Sequence, residues 1–148
     1  MHGVDAEHRP IDGGATPHAR GKLGEELTRL DLERQGYEVI VERVAIETPK
    51  GYFIPDFIVK HQETGQILAV ESKFGPGARY TPNQEIGYAH LADDKPVVGV
   101  TQQTRAELAR AGIVKVDGVM TYRWNTRVVP DADLLAEARA NLERAARR

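Results

Sequence analysis

Between Gly36 and Lys73 three β-rich stretches follow one another with only short turns between them, and a helical pattern stands on either side. Leu23, Leu27 and Leu30 recur at i, i+4 and i+7, which predicts a helix over 20–35 that ends at Gly36. From Tyr37 to Ile46 residues alternate, with Tyr37, Val39 and Val41 set against Glu38, Ile40 and Glu42, as in a strand. Thr48-Pro49-Lys50-Gly51 is a turn signal. A second strand is expected over Tyr52–Lys60, with Pro55 marking an edge or a bulge, and a third over Gln66–Lys73. Thr81-Pro82-Asn83-Gln84 then opens a second helix: Thr81 suits the N-cap, Pro82 the first helical position and Gln84 the capping box.

Beyond that helix the pattern predicts a strand at Val97–Thr101 and a short helix over Gln103–Ala111 closed by Gly112. A further strand is expected at Ile113–Val116, paired as a hairpin with Val119–Trp124 through Asp117-Gly118. A final amphipathic helix is expected over Asp131–Arg148. This order implies an α/β fold, a mixed central sheet flanked by helices. The 148 residues suit one domain, expected over 19–148, behind a loosely ordered lead-in or linker at 1–18 rich in Gly, His, Asp and Pro.

Composition narrows the chemistry. There is no cysteine, so thiolate metal sites and disulfides are excluded. A metal would be held by carboxylates and carbonyl oxygens, a ligand set for hard cations such as Mg²⁺ or Mn²⁺. No apolar run reaches the roughly 20 residues of a membrane helix, and Met1–Arg20 has no apolar core of a secretory signal. The expectation is a protein that acts in a cytoplasm, that of a target cell if it is delivered, with no membrane partner. Net charge is −2, but residues 1–71 hold 8 Lys/Arg against 13 Asp/Glu while 72–148 hold 12 against 9. A mildly acidic protein can still hold a phosphodiester where the local field is positive.

The chemistry-bearing residues sit on the second and third predicted strands. Glu71 and Lys73 are two apart and share a face; Ser72 faces the other way, with a backbone carbonyl that can still ligate a metal. Asp56 on the neighbouring strand could stand beside Glu71. Two close carboxylates repel unless a cation lies between them. A divalent ion there can polarise a phosphoryl oxygen, and an adjacent lysine can orient the attacking water. Asp…Glu-x-Lys alone is a weak signal, since solvated strands often carry it. It gains weight because Glu71 ends the apolar run Ile67-Leu68-Ala69-Val70, where an unpartnered charge is costly.

At these residues the chain resembles the PD-(D/E)XK, or restriction-endonuclease-like, nuclease superfamily: Pro55-Asp56 matches its first element and Glu71-Ser72-Lys73 its second. The predicted αβββαβ order matches its core, over roughly residues 20–101. The resemblance implies a Mg²⁺-dependent endonuclease, DNA favoured over RNA, with Asp56 and Glu71 on the metal, the Ser72 carbonyl as a further ligand, and Lys73 assisting water. It assigns a further metal-binding glutamate to Glu25, or failing that Glu26; both are also explained as first-turn glutamates favoured by the helix dipole. Gln84 takes an auxiliary place near the site, or is a plain capping-box residue.

The segment from Phe74 to Gln84 is similar to nuclease domains of bacterial polymorphic toxins, which implies an antibacterial effector and a cognate immunity protein as partner. Rival readings are a housekeeping repair nuclease, Holliday junction resolvase or restriction enzyme, and a non-catalytic binding module. Of the remaining polar residues, His61 is expected in a solvated turn, Arg79 as a candidate phosphate contact, and Tyr122 and Trp124 at the edge of the core or against a base.

Overall fold

The computed structural model describes residues 16–75, 77–125 and 130–147. Its elements run α1 (Pro17–Arg34), β1 (Tyr37–Glu42), β2 (Ile46–Thr48), β3 (Gly51–Phe53), β4 (Phe57–His61), β5 (Ile67–Phe74), α2 (Pro82–Ala92), α3 (Gln102–Arg110), β6 (Gly118–Trp124) and α4 (Ala132–Ala146). Strands β1, β4, β5 and β6 form one sheet in that order, and β2 pairs with β3 in a separate two-stranded ribbon. The β1–β4 and β4–β5 pairs are antiparallel. β5 and β6 run the same way: Asp117, just before β6, donates its amide to Ile67 at the start of β5, and Gly75, just past β5, donates to Trp124 at the end of β6. The sheet is therefore mixed and the fold is α/β.

The chain forms two compact units: 1–35, 72–78 and 122–148 in one, 36–71 and 79–121 in the other. In the first, α1 turns Leu23, Leu27 and Leu30 toward Leu134, Leu135 and Ala138 of α4, with Phe74 and Trp124 packed alongside. In the second, Ile58 and Ala69 of the sheet, Phe53 of the ribbon, Tyr88 and Leu91 of α2 and Leu108 of α3 share one core. Removing such side chains from water is worth about 1.5–3 kcal/mol each.

Several expectations are corrected. α1 begins at Pro17, behind Thr16, whose hydroxyl accepts from the Ala19 amide. Residues 17 and 18 are thus helix and not lead-in; residues 1–15 of that expectation lie outside the described residues. Glu25 and Glu26 then stand about two turns inside the helix, so the first-turn dipole argument does not apply to them. The predicted strand 37–46 is two pieces, because Arg43 takes a left-handed conformation (φ 51°) that turns Val44 and Ile46 into the core. The predicted strand 52–60 is also two, broken at Ile54-Pro55, where proline offers no amide to a ladder. Val97–Thr101 is no strand: Val98 and Ala45 carbonyls accept from Glu47 and Val100, leaving an isolated bridge between Ile46 and Gly99. Ile113–Val116 is no strand either, and no hairpin forms at Asp117-Gly118; β6 is the partner of β5. Gly36 does end α1, at φ 91°, and a Cβ there would lie 2.9 Å from His61 Nε2.

Among the described residues no helix is long and apolar enough to cross a membrane.

Candidate active site

The β4–β5 ladder leads into the site. Phe57 faces Val70, Ile58 faces Ala69 and Val59 faces Leu68. Asp56 lies one residue ahead of that ladder and Glu71 one residue past it on β5. Asp56 is half-buried, and its carbonyl accepts from the Arg43 amide at 3.2 Å, which ties the chain just ahead of β4. Glu71 is only 2% exposed.

A carboxylate so deep needs donors, and α2 brings two. The Gln84 side-chain amide donates to Glu71 Oε2 at 3.0 Å. The Tyr88 hydroxyl donates to Glu71 Oε1 at 2.6 Å and makes a longer contact with the Val70 carbonyl. Both donors are neutral, so they orient the carboxylate without cancelling its charge. The environment acts on the phenol in return. Burial pushes the Tyr88 hydroxyl far above its ordinary pKa, and the charge of Glu71, the bond to it and the charge of Asp56 push in the same direction. Tyr88 is thus a permanent donor at any working pH.

Gln84 occupies its place because α2 begins where the sequence says it should. The Thr81 hydroxyl accepts from the Gln84 amide at 3.2 Å, and Gln84 Oε1 accepts from the Thr81 amide at 3.0 Å. One side chain therefore caps the helix with its oxygen, as the capping-box reading expected, and bonds to Glu71 with its nitrogen. Tyr88 was not singled out from sequence. Its signal was available: it lies four residues after Gln84 and so shares that helical face.

In the other unit lie Glu25, Ser72 and Lys73. Lys73 follows Glu71 by two on β5, so strand alternation sends both to one face. Ser72 is turned the other way, and its hydroxyl accepts from Thr28 of α1. Glu25 is half-buried in α1. Its neighbour Glu26 is committed to structure: it pairs with Arg29 and accepts from Asn141 of α4 at 2.8 Å.

Of the other residues raised from sequence, His61 ends β4 and packs edge-on against Tyr37, while its Nδ1 accepts the amides of Glu63 and Thr64. Arg79 is exposed. Tyr122 and Trp124 stack on each other, and their polar tips bond to Asp31 and Thr28.

Among the described residues no group of three or more His, Asp or Glu stands close enough to hold a metal ion. Asp56 and Glu71 are both hard oxygen donors, and the charge of each acts on the Tyr88 hydroxyl. No family model matches this chain, and no curated protein or solved structure matches it.

Proposed function

We propose that the chain is a metal-dependent endonuclease of the PD-(D/E)XK kind that hydrolyses phosphodiester bonds, in DNA before RNA. The observation that carries this reading is that Asp56, just ahead of β4, and the buried Glu71 of β5 both lie close enough to the Tyr88 hydroxyl for their charges to act on it, with Lys73 two residues on along β5. Asp56 and Glu71 would hold Mg²⁺ or Mn²⁺, with the carbonyl of Ser72, the next residue of β5, as a further oxygen ligand. Such an ion supplies Lewis-acid polarisation of the phosphoryl group and acidifies a water.

The protein's own part is positional and electrostatic. Gln84 and Tyr88 fix the Glu71 carboxylate from α2. The Lys73 ammonium orients the attacking water and offsets charge that builds on the phosphorane oxygens. We further infer a toxin domain acting in the cytoplasm of a target cell and held in check by an immunity protein in its producer. The support is the likeness of Phe74–Gln84 to polymorphic toxin nucleases, and growth arrest on expression of wild type but not Asp56→Ala is its test.

The activity itself is tested by incubating supercoiled plasmid with protein and Mg²⁺, with EDTA, and with Asp56→Ala. Nicking that needs both the metal and Asp56 is the expected result. Plasmid, branched DNA and structured RNA all left uncut by the wild type would overturn the reading in favour of a binding module.

A further inference from the structure

Thr28 lies in the middle of α1 and is completely buried, the one threonine so placed among the buried polar residues described. A buried hydroxyl needs partners, and Thr28 has them at both ends. It donates to the Ser72 hydroxyl at 2.9 Å and accepts the indole N–H of Trp124 at 2.8 Å. The three residues come from α1, β5 and β6, and all belong to one compact unit.

The helix can approach this closely because residue 24, one turn before Thr28, is glycine. A Cβ there would lie 3.2 Å from the Phe74 ring and 3.5 Å from Ser72 Oγ. Packing alone would be served as well by an apolar trio of the same shape, since replacing both partners of a buried hydrogen bond with apolar groups is close to neutral. What a polar trio adds is direction. Two bonds of fixed geometry hold the Ser72 rotamer, and through its Cα the peptide plane that follows it. Ser72 is the residue of β5 between Glu71 and Lys73.

We propose that the Trp124–Thr28–Ser72 hydrogen-bond relay is a positioning device for the Glu71-Ser72-Lys73 segment of β5, setting the Ser72 carbonyl where it serves as a cation ligand. This rests on the nuclease reading above. Thr28 and Trp124 are positioning residues; neither touches substrate. Outer partners that orient a ligating group typically govern metal affinity by about tenfold to a hundredfold.

The test is calorimetric titration of Mn²⁺ alone into wild type, Thr28→Val and Thr28→Ser, with plasmid nicking run beside it. Thr28→Val keeps the shape and removes the hydroxyl; Thr28→Ser keeps the hydroxyl and removes a methyl. The Mn²⁺ dissociation constant is expected to rise roughly tenfold or more in Thr28→Val and to stay at the wild-type value in Thr28→Ser. A role confined to stability would lower the melting temperature of both and leave the affinity of the folded protein unchanged. Wild-type Mn²⁺ affinity in Thr28→Val, with wild type cutting DNA, overturns the relay and leaves the nuclease standing. If wild type neither binds Mn²⁺ nor cuts, the nuclease reading fails and takes the relay with it. Should Thr28→Val not fold, Ser72→Ala removes the far end of the relay from β5; the same loss of affinity is expected, and an unchanged affinity overturns the proposal.

Discussion

Replacing Tyr88 with phenylalanine removes one hydroxyl and keeps the ring. The ring has its own duties: it meets Phe53 edge-on at 4.9 Å between centroids and stacks on Tyr80 at 5.2 Å. What is lost is a 2.6 Å hydrogen bond to a carboxylate that is 2% exposed. Bonds to charged groups contribute about 1.5–3 kcal/mol, because the charge left behind cannot recover the donor from water. For a chain of this length each kcal/mol moves the melting temperature by about 2–4 °C, so Tyr88→Phe should melt roughly 3–12 °C below wild type. Tyr80→Phe is the control. Its hydroxyl bonds to the neutral Thr121 hydroxyl, a contact in the range of about 0.5–1.5 kcal/mol.

The pH dependence gives the experiment a second arm. The Tyr88 pKa is raised in the fold from an ordinary value of 10.0. Below that value the phenol is protonated in both states, and the wild-type advantage is constant. Above it the unfolded chain sheds the proton while the folded one keeps it, so stability falls as pH rises, and the gap to Tyr88→Phe should close. Urea unfolding of the three proteins at neutral pH and above about pH 10 measures all of this. A Tyr88→Phe cost no greater than that of Tyr80→Phe would refute the claim that the Tyr88 hydroxyl holds the buried Glu71 carboxylate.

Two further predictions concern the elements around the site. Gly87 is buried in α2 with the Phe53 ring where a Cβ would sit, so Gly87→Ala should destabilise by about 1–3 kcal/mol despite alanine's better helix propensity, read by urea unfolding. Asp131 caps α4, and its carboxyl is held below the usual carboxylate range chiefly by the Leu134 amide, then by that of Asp133 and by the Arg34 guanidinium. A depressed pKa contributes stability above the unfolded value and loses it as pH falls through the folded one, so the melting-temperature advantage of wild type over Asp131→Asn should shrink on acidification below about pH 4.

What was legible in the sequence was local. Leucines at helical spacing, Gly36 past the end of α1, and Thr81 with Pro82 and Gln84 each carry their structural meaning within a few residues. The misread pieces, Val97–Thr101 and Ile113–Val116 with its hairpin, are governed by partners far away in the chain, whereas the helix at 103–111 and the strand at 119–124 are present as α3 and β6. Asp117-Gly118 has the composition of a hairpin turn, yet Asp117 spends its amide and its carboxylate on Ile67, 50 residues earlier, and so launches β6 beside β5. The same limit applies at the site. Asp56, Glu71 and Lys73 stood out because charges at the ends of apolar runs demand an explanation. Glu25 and Glu26 could not be told apart, since the partner that occupies Glu26 is Asn141, 115 residues on. The Gln84 capping box was legible because Thr81 lies three residues away, whereas its bond to Glu71 reaches 13 residues back.

The central claim is that Glu71 and Lys73 perform phosphodiester hydrolysis together. Single-turnover cleavage of plasmid at saturating Mg²⁺, compared among wild type, Glu71→Gln and Lys73→Ala, tests it most directly. Removing a group that acts on the reacting centre costs about a hundredfold or more. The account predicts at least that loss in each variant, with Lys73→Ala folding as wild type does. Cleavage by both variants at wild-type rates would contradict it and place the chemistry elsewhere in the chain.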